Sequence, residues 1–253
     1  MAACPVAAVR VDAIDAQSLS FNSFQLENDW LPHGEFDTSR LVQLMASRRS
    51  CRNYTEQSID RSVLEDLVKI GTTAPSGTNC QKWTFTVFPD RRAVKEFALR
   101  IGAFFRNLNR MAEKTLMRKT LKLIGKPVLE NYYNSYYQSV KEGLEEWEQH
   151  GRDRLFHGAP AVIIVASKPG GSNSKEDALL ATQNILLAAH SMGLGTCLIG
   201  FAVEAIRHDA TIKHFAKIPK EEAVHALIAV GYPDEEYQGL AGRKKVVMRY
   251  FEG

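Results

Sequence analysis

Arg48, Arg49 and Arg52 place three permanent cations within five residues, with Ser50 inside the cluster. That density suits an anionic group held by charge-assisted hydrogen bonds, and a phosphate is the guest it fits. A second group follows in Pro75, Ser76, Gly77, Thr78 and Asn79. Pro75 pushes Ala74 out of the α region, and the residues after it are turn formers with free backbone N–H groups and an amide side chain. Such a loop can hydrogen-bond a planar heterocycle edge-on.

Local elements must carry these groups. Thr38 can start a helix whose Leu41, Leu44 and Met45 face inward, delivering Arg48 and Arg49 at its last turn. Asp60 can cap a second helix with Val63, Leu64, Leu67 and Val68 on one face, and Gly71 stands where it should end. After the turn, Trp83, Phe85 and Val87 alternate with Thr84 and Thr86 as a strand does, and Pro89-Asp90 opens a helix through Ala93, Phe97 and Ile101. Residues 159–166 and 223–230 are apolar runs bounded by glycine and proline, as buried strands should be. Between them, Ser174 and Asp177 have capping-box spacing and open a helix apolar nearly all round, followed by a strand through GLGTCLIGF. His190, without a second ligand at i±3 or i±4, and His225, within an apolar run, are expected to be structural.

The order R-R-S-x-R, a helix, A-P-S-G-x-N-x-Q-x-W and then a strand resembles the FMN-dependent nitroreductase family, and the two motifs occur at that family's separation. The resemblance implies an α+β fold, with a mixed, mostly antiparallel sheet wrapped by helices and an intertwined homodimer holding each flavin at the interface. It implies that Arg48, Arg49, Ser50 and Arg52 meet the FMN phosphate and ribityl chain. Pro75, Ser76, Gly77 and Asn79 would meet the ring, while the backbone at Leu198, Ile199 and Gly200 passes its edge and donates towards N5. In the C-terminal basic group Arg243, and after it Lys245, would join the phosphate site. Chemistry then resides in the cofactor, with no catalytic side chain. The resemblance implies that a hydride passes from NAD(P)H through flavin N5 to a small nitroaromatic or quinone-like acceptor in ping-pong order. A related flavin activity such as reductive dehalogenation shares these motifs. A rival from another class is a basic binding module for an acidic partner, which would have no use for the PSGTN turn.

With 253 residues and 45% hydrophobic composition the chain fits one domain. A net charge of +3 does not argue for nucleic acid. Cys4, Cys51, Cys80 and Cys197 form no C-x-x-C pair and have no histidine at ligand spacing, which disfavours a metal site and a disulfide framework. No apolar run is long enough to span a bilayer, and the N-terminus lacks a signal peptide's apolar core, so a soluble, cytoplasmic protein is expected.

Residues 1–37, interrupted by Pro5, Asn22, Asn28, Pro32 and Gly34, are an arm whose Phe21, Phe24, Leu26, Trp30 and Leu31 need a surface to cover; residues 38–253 form the domain. Residues 104–151 are expected to be a helical hairpin or lid. Its first limb carries Arg106, Arg110, Lys114, Arg118, Lys122 and Lys126 at intervals of four, either a solvated face or an attractor of an anionic partner. Its second limb carries a tyrosine stripe, read as packing or, for Tyr133 and Tyr137, as substrate contact.

Overall fold

A strand of continuous apolar residues is stable only with both faces covered. Ala161–Ser167 forms such a strand, β2, buried throughout at the centre of the sheet. It pairs antiparallel with β1 (Trp83–Phe88) on one side and β4 (Ala223–Gly231) on the other, and β4 pairs antiparallel with β3 (Gly195–Leu198), giving the order β1-β2-β4-β3. A parallel bridge from Ser50 to Thr196 lays the arginine segment beside β3, while the four strands themselves pair antiparallel. The computed structural model describes residues 15, 17–27 and 29–252; Cys4, Pro5 and Asn28 lie outside them.

Because side chains alternate along a strand, β2 and β4 feed two cores. Val162, Ile164, Leu227 and Ala229 meet Phe97, Ile101, Ile206 and Ile212 from α3 (Arg91–Ala112), α8 (Gly200–His208) and α9 (Ala210–Phe215). Ile163, Val165, Ala226 and Ile228 meet Leu64, Leu67, Ala178 and Ile185 from α2 (Arg61–Gly71) and α7 (Ser174–Ser191). The architecture is α+β, as expected.

The 104–151 segment departs from a two-limbed hairpin. Helix α3 runs unbroken past Phe104 to Ala112, and the chain continues as α4 (Thr115–Leu123), α5 (Val128–Ser135) and α6 (Tyr137–His150), with α6 against α3 and α5 against α4. The basic stripe therefore crosses a helix break at Lys114 and is no single face. Helix α1 (Thr38–Ser47) is capped by Asp37, whose side chain accepts from the Arg40 N–H, but Leu41 and Met45, expected inward, are exposed. Asp60 occupies the N-cap of α2 without a side-chain bond.

The arm rests on α2. Its Asn22 and Ser23 N–H groups donate to the buried Asp66 carboxylate at 2.9 and 2.7 Å, and Lys69 Nζ donates to the Ser20 carbonyl. Burial alone would raise the Asp66 pKa, but the Ser23 and Asn22 hydrogen bonds outweigh it and hold the carboxyl below its ordinary value. Beyond Pro233 the tail forms no strand, and Val246, Val247, Met248, Tyr250 and Phe251 are exposed.

Candidate cofactor site

The arginine segment is fastened to the sheet by its backbone. Cys51 N–H donates to the Thr196 carbonyl at 2.9 Å, Arg52 N–H to Glu235 Oε1 at 2.8 Å, and the Tyr54 hydroxyl to the Cys51 carbonyl at 2.9 Å. Two glycines permit this close approach. A Cβ on Gly195 would lie 2.7 Å from Cys51 Cβ, and one on Gly231 would lie 2.7 Å from the Tyr54 ring. With the backbone engaged, the guanidinium groups remain available: among the described residues Arg48, Arg49 and Arg52 enter no ion pair, although Arg49 lies over the Tyr237 ring at 5.4 Å.

The nearby titratable groups register that charge. Burial, reinforced by Arg48, lowers the pKa of His190 and keeps it neutral. Burial raises the Cys197 thiol against the opposing influence of Arg52, Ser50 and Arg48, and pushes the Cys51 thiol up to about 12, so neither sulfur is a ready nucleophile. Glu235 feels burial in the same upward direction, but the hydrogen bonds from Arg52 N–H and its neighbours outweigh it and keep the carboxylate ionised.

The P-S-G-T-N loop is held differently, by left-handed backbone. Thr78 and Asn79 each have φ of 54° and Gln81 has φ of 47°. For a β-branched residue such as Thr78 this is a strained conformation that needs support from its surroundings. The support comes from the first turn of α7. Gly77 N–H donates to Asp177 Oδ1 at 3.0 Å, Cys80 Sγ reaches Asp177 Oδ2 at 3.7 Å, and Gln81 N–H donates to Ser76 Oγ at 3.0 Å. A Cβ on Gly77 would meet Ser172 Oγ, so a side chain there would have to turn that hydroxyl aside.

Asp177 is the residue that sequence reasoning missed. Its spacing from Ser174 fits a capping box, yet Asn173 is the N-cap, the Ser174 hydroxyl donates to the Gly171 carbonyl, and Asp177 reaches 100 residues back to Gly77. Only the tertiary fold carries that signal.

At the β3–α8 junction Ile199 N–H is taken by the Leu227 carbonyl at 2.9 Å, while Leu198 and Gly200 are exposed. Phe201, next to Gly200, meets Phe105 and Tyr136 edge-on at 5.7 and 5.6 Å. Tyr133 and Tyr137 instead stack on each other at 4.8 Å, with Arg118 over Tyr133 and Glu113 accepting from the Tyr137 hydroxyl. Tyr136 is thus the tyrosine that reaches the junction. A cavity of about 210 Å³ opens beside Phe201, lined by Gly102, Phe105, Leu144, Trp147 and His157. Burial lowers the His157 pKa, with further influence from Arg52 and Arg154 against Asp153. Arg243 donates to its own neighbours, the Ala241 and Gly242 carbonyls, and both Arg243 and Lys245 lie exposed on the tail.

The structure therefore brings Arg48, Ser50 and Arg52 to one end of α7 and Pro75 to Asn79 to the other. Arg48 acts on His190 and the loop hangs from Asp177, positions about 20 Å apart at 1.5 Å rise per residue. The sequence model of the nitroreductase family matches residues 45–232, from the arginines through the loop and the whole sheet. The chain belongs to the nitroreductase family. Among characterised relatives, an iodotyrosine deiodinase of Thermotoga neapolitana is 25% identical over 213 residues, 83% of this chain and 97% of that protein. A 4-nitrobenzoate reductase of Nocardioides sp. is 27% identical over 203 residues, 77% of this chain and 81% of that protein. A solved nitroreductase with bound FMN from Desulfitobacterium hafniense superposes with a TM-score of 0.58 at 22% identity, covering 83% of this chain and 97% of that one, a likeness of fold.

Proposed function

We propose that this nitroreductase-family protein is an FMN-dependent oxidoreductase that works as a homodimer, with NAD(P)H as donor and a small nitroaromatic or quinone-like molecule as acceptor. The observation that carries this reading is three guanidinium groups beside β3 that have no ion-pair partner among the described residues. Ser50 against Thr196 sets the arginines at one end of a path, and Gly200 stands roughly 13 Å along it at 3.3 Å per residue. That path suits a mononucleotide with one terminal phosphate among the cations. FMN, when bound, supplies the two-electron redox chemistry, so no catalytic triad is needed.

The chain's own residues bind and orient. Arg48, Arg49 and Arg52 hold the phosphate by charge-assisted hydrogen bonds, with Ser50 as a further donor. Leu198 and Gly200 offer backbone at the ring edge, while Ile199 N–H stays in the sheet. The loop of Pro75, Ser76, Gly77 and Asn79 hangs from the opposite end of α7 from its own arginines, and on that ground we assign it to the ligand of a second copy. Arg243 and Lys245, on the exposed tail, would complete the phosphate site only after the tail has found its place on that copy. The homodimer reading is also supported by the apolar surface one chain leaves uncovered, Leu41, Val42 and Met45 on α1 and Val246 to Phe251 in the tail. The cavity beside Phe201 offers apolar space for an aromatic acceptor, and we place Tyr136 nearer to it than Tyr133 or Tyr137.

Reductive dehalogenation is the second reading, favoured by the deiodinase relative, whose match covers 83% of the chain against 77% for the nitrobenzoate reductase. Protein incubated with FMN, desalted and titrated anaerobically decides between them. The expected result is retained flavin, bleaching by NADH or NADPH, and recovery of the yellow colour with a nitroaromatic or quinone. Recovery with iodide release from 3-iodo-L-tyrosine alone selects dehalogenation, and a preparation that retains no flavin ends both readings.

A further inference from the structure

Helix α4 wears its apolar face outward. Arg118 turns inward, 9% exposed, against Glu130 and under the Tyr133 ring. Leu116, Leu123 and Ile124, with Val128 at the start of α5, turn outward and are 80%, 86%, 62% and 74% exposed. A helix on a globular surface normally does the reverse. Around these aliphatic groups stand Arg110, Lys114, Lys119, Lys122 and Lys126, all exposed and none in an ion pair among the described residues. The acid between them, Glu113, is engaged by the Tyr137 hydroxyl. Gly125, at φ of 76°, turns the chain so that Ile124, Lys126 and Val128 share one tip.

We propose that this tip is a docking surface for an anionic lipid membrane. Large exposed aliphatic side chains ringed by lysines match the two layers of such a surface, acyl chains below and phosphates above. The charge argues against the same face of a second copy, because pairing it with itself would bring ten cations together. The aliphatic groups argue against a nucleic acid, whose phosphates would engage the lysines and leave the leucines and Val128 in water. No helix among the described residues is long and apolar enough to cross a membrane, so the attachment is peripheral. The inference does not depend on the flavin reading. Joined to it, docking would bring the Phe201 cavity to acceptors dissolved in lipid.

Cosedimentation of the full-length protein with vesicles tests it, comparing phosphatidylcholine alone with a mixture containing about one third phosphatidylglycerol. Binding is expected only to the anionic vesicles, weakening as salt rises from about 0.05 to about 0.5 M. Combined Lys119→Glu, Lys122→Glu and Lys126→Glu should lower the partition coefficient roughly a hundredfold, and combined Leu116→Ser and Leu123→Ser roughly tenfold. All five positions are exposed, and circular dichroism checks that the variants fold. No partition at low salt overturns the proposal. So does a leucine variant that binds vesicles as well as the parent, which would mark a general polyanion surface. A leucine variant that sediments as a smaller species than the parent would show the tip to be a subunit contact and overturn it equally.

Discussion

The two ends of α7 do their work by different physics. At the C-terminal end the arginine segment is bolted down through its backbone, while its guanidinium groups carry charge that no acid among the described residues pairs with. At the N-terminal end the loop carries no charge of its own, and its useful property is a left-handed backbone maintained by Asp177. Affinity at the first end should be separable from stability. At the second the two should move together.

The largest effect should come from the charged end. Arg48→Ala or Arg52→Ala removes charge-assisted hydrogen bonds of ~1.5–3 kcal/mol, so FMN affinity should fall by one to two powers of ten. The melting temperature of the flavin-free protein should hardly change. Fluorescence titration with FMN beside a thermal scan measures both, and a variant that loses its fold instead would show the cluster to be structural.

At the other end Asp177→Ala strips the Gly77 N–H of its partner in a part-buried setting, which should cost about 1 kcal/mol of stability and loosen flavin binding as well. Urea unfolding with and without FMN follows the two quantities. Equal stability of parent and variant would mean that the loop holds its shape unaided. Thr78→Gly, on the same loop, relieves a left-handed β-branched residue but loses the hydroxyl bond to the Gly77 carbonyl and frees the unfolded chain, so the net gain should be no more than about 1 kcal/mol. A loss there would indicate that the Thr78 hydroxyl outweighs the strain.

The smallest effects are in protonation, and they read the electric field at the charged end directly. Removing Arg48 should let the His190 pKa rise towards 6.5, and phosphate bound at the cluster should do the same; NMR titration of the imidazole follows both. His157, His190 and His225 all have depressed pKa values in the fold, with burial the leading cause. The unfolded chain therefore binds protons first as pH falls, so their penalty is absent above about 6.5 and stability declines as pH drops through that value. A flat urea midpoint between about pH 7.5 and pH 5.5 would contradict this.

Much of the frame was legible because it rests on local signals. The alternation at Trp83 to Phe88 and the long helix after Ser174 emerged where expected, as did the apolar runs of β2 and β4, where burial on both faces leaves little room for other residue types. The breaks at Lys114 and Tyr136 did not, because no glycine or proline marks them. The Ser174 and Asp177 spacing misled, since an acid in a helix's first turn satisfies a local rule whether its partner is its own helix or a loop 100 residues away. Leu41 and Met45 were legible as an apolar face, but nothing among the described residues buries them.

The tie between the arginine segment and the sheet also sets a clock. Its contacts join residues 175 and 183 positions apart, Tyr54 to Ala229 and Arg52 to Glu235, and closing such long loops is slow and unrewarded until the sheet exists. The seats left by Gly195 and Gly231 are formed only once β3 lies on β4. The arginine segment is then among the last parts of the molecule to mature. Pulsed hydrogen exchange during refolding should find the Cys51 and Thr55 amides protected after those of β2; simultaneous protection would show that the segment nucleates with the sheet. If the delay holds, free FMN cannot template the early fold, and capture of the cofactor closes the folding sequence.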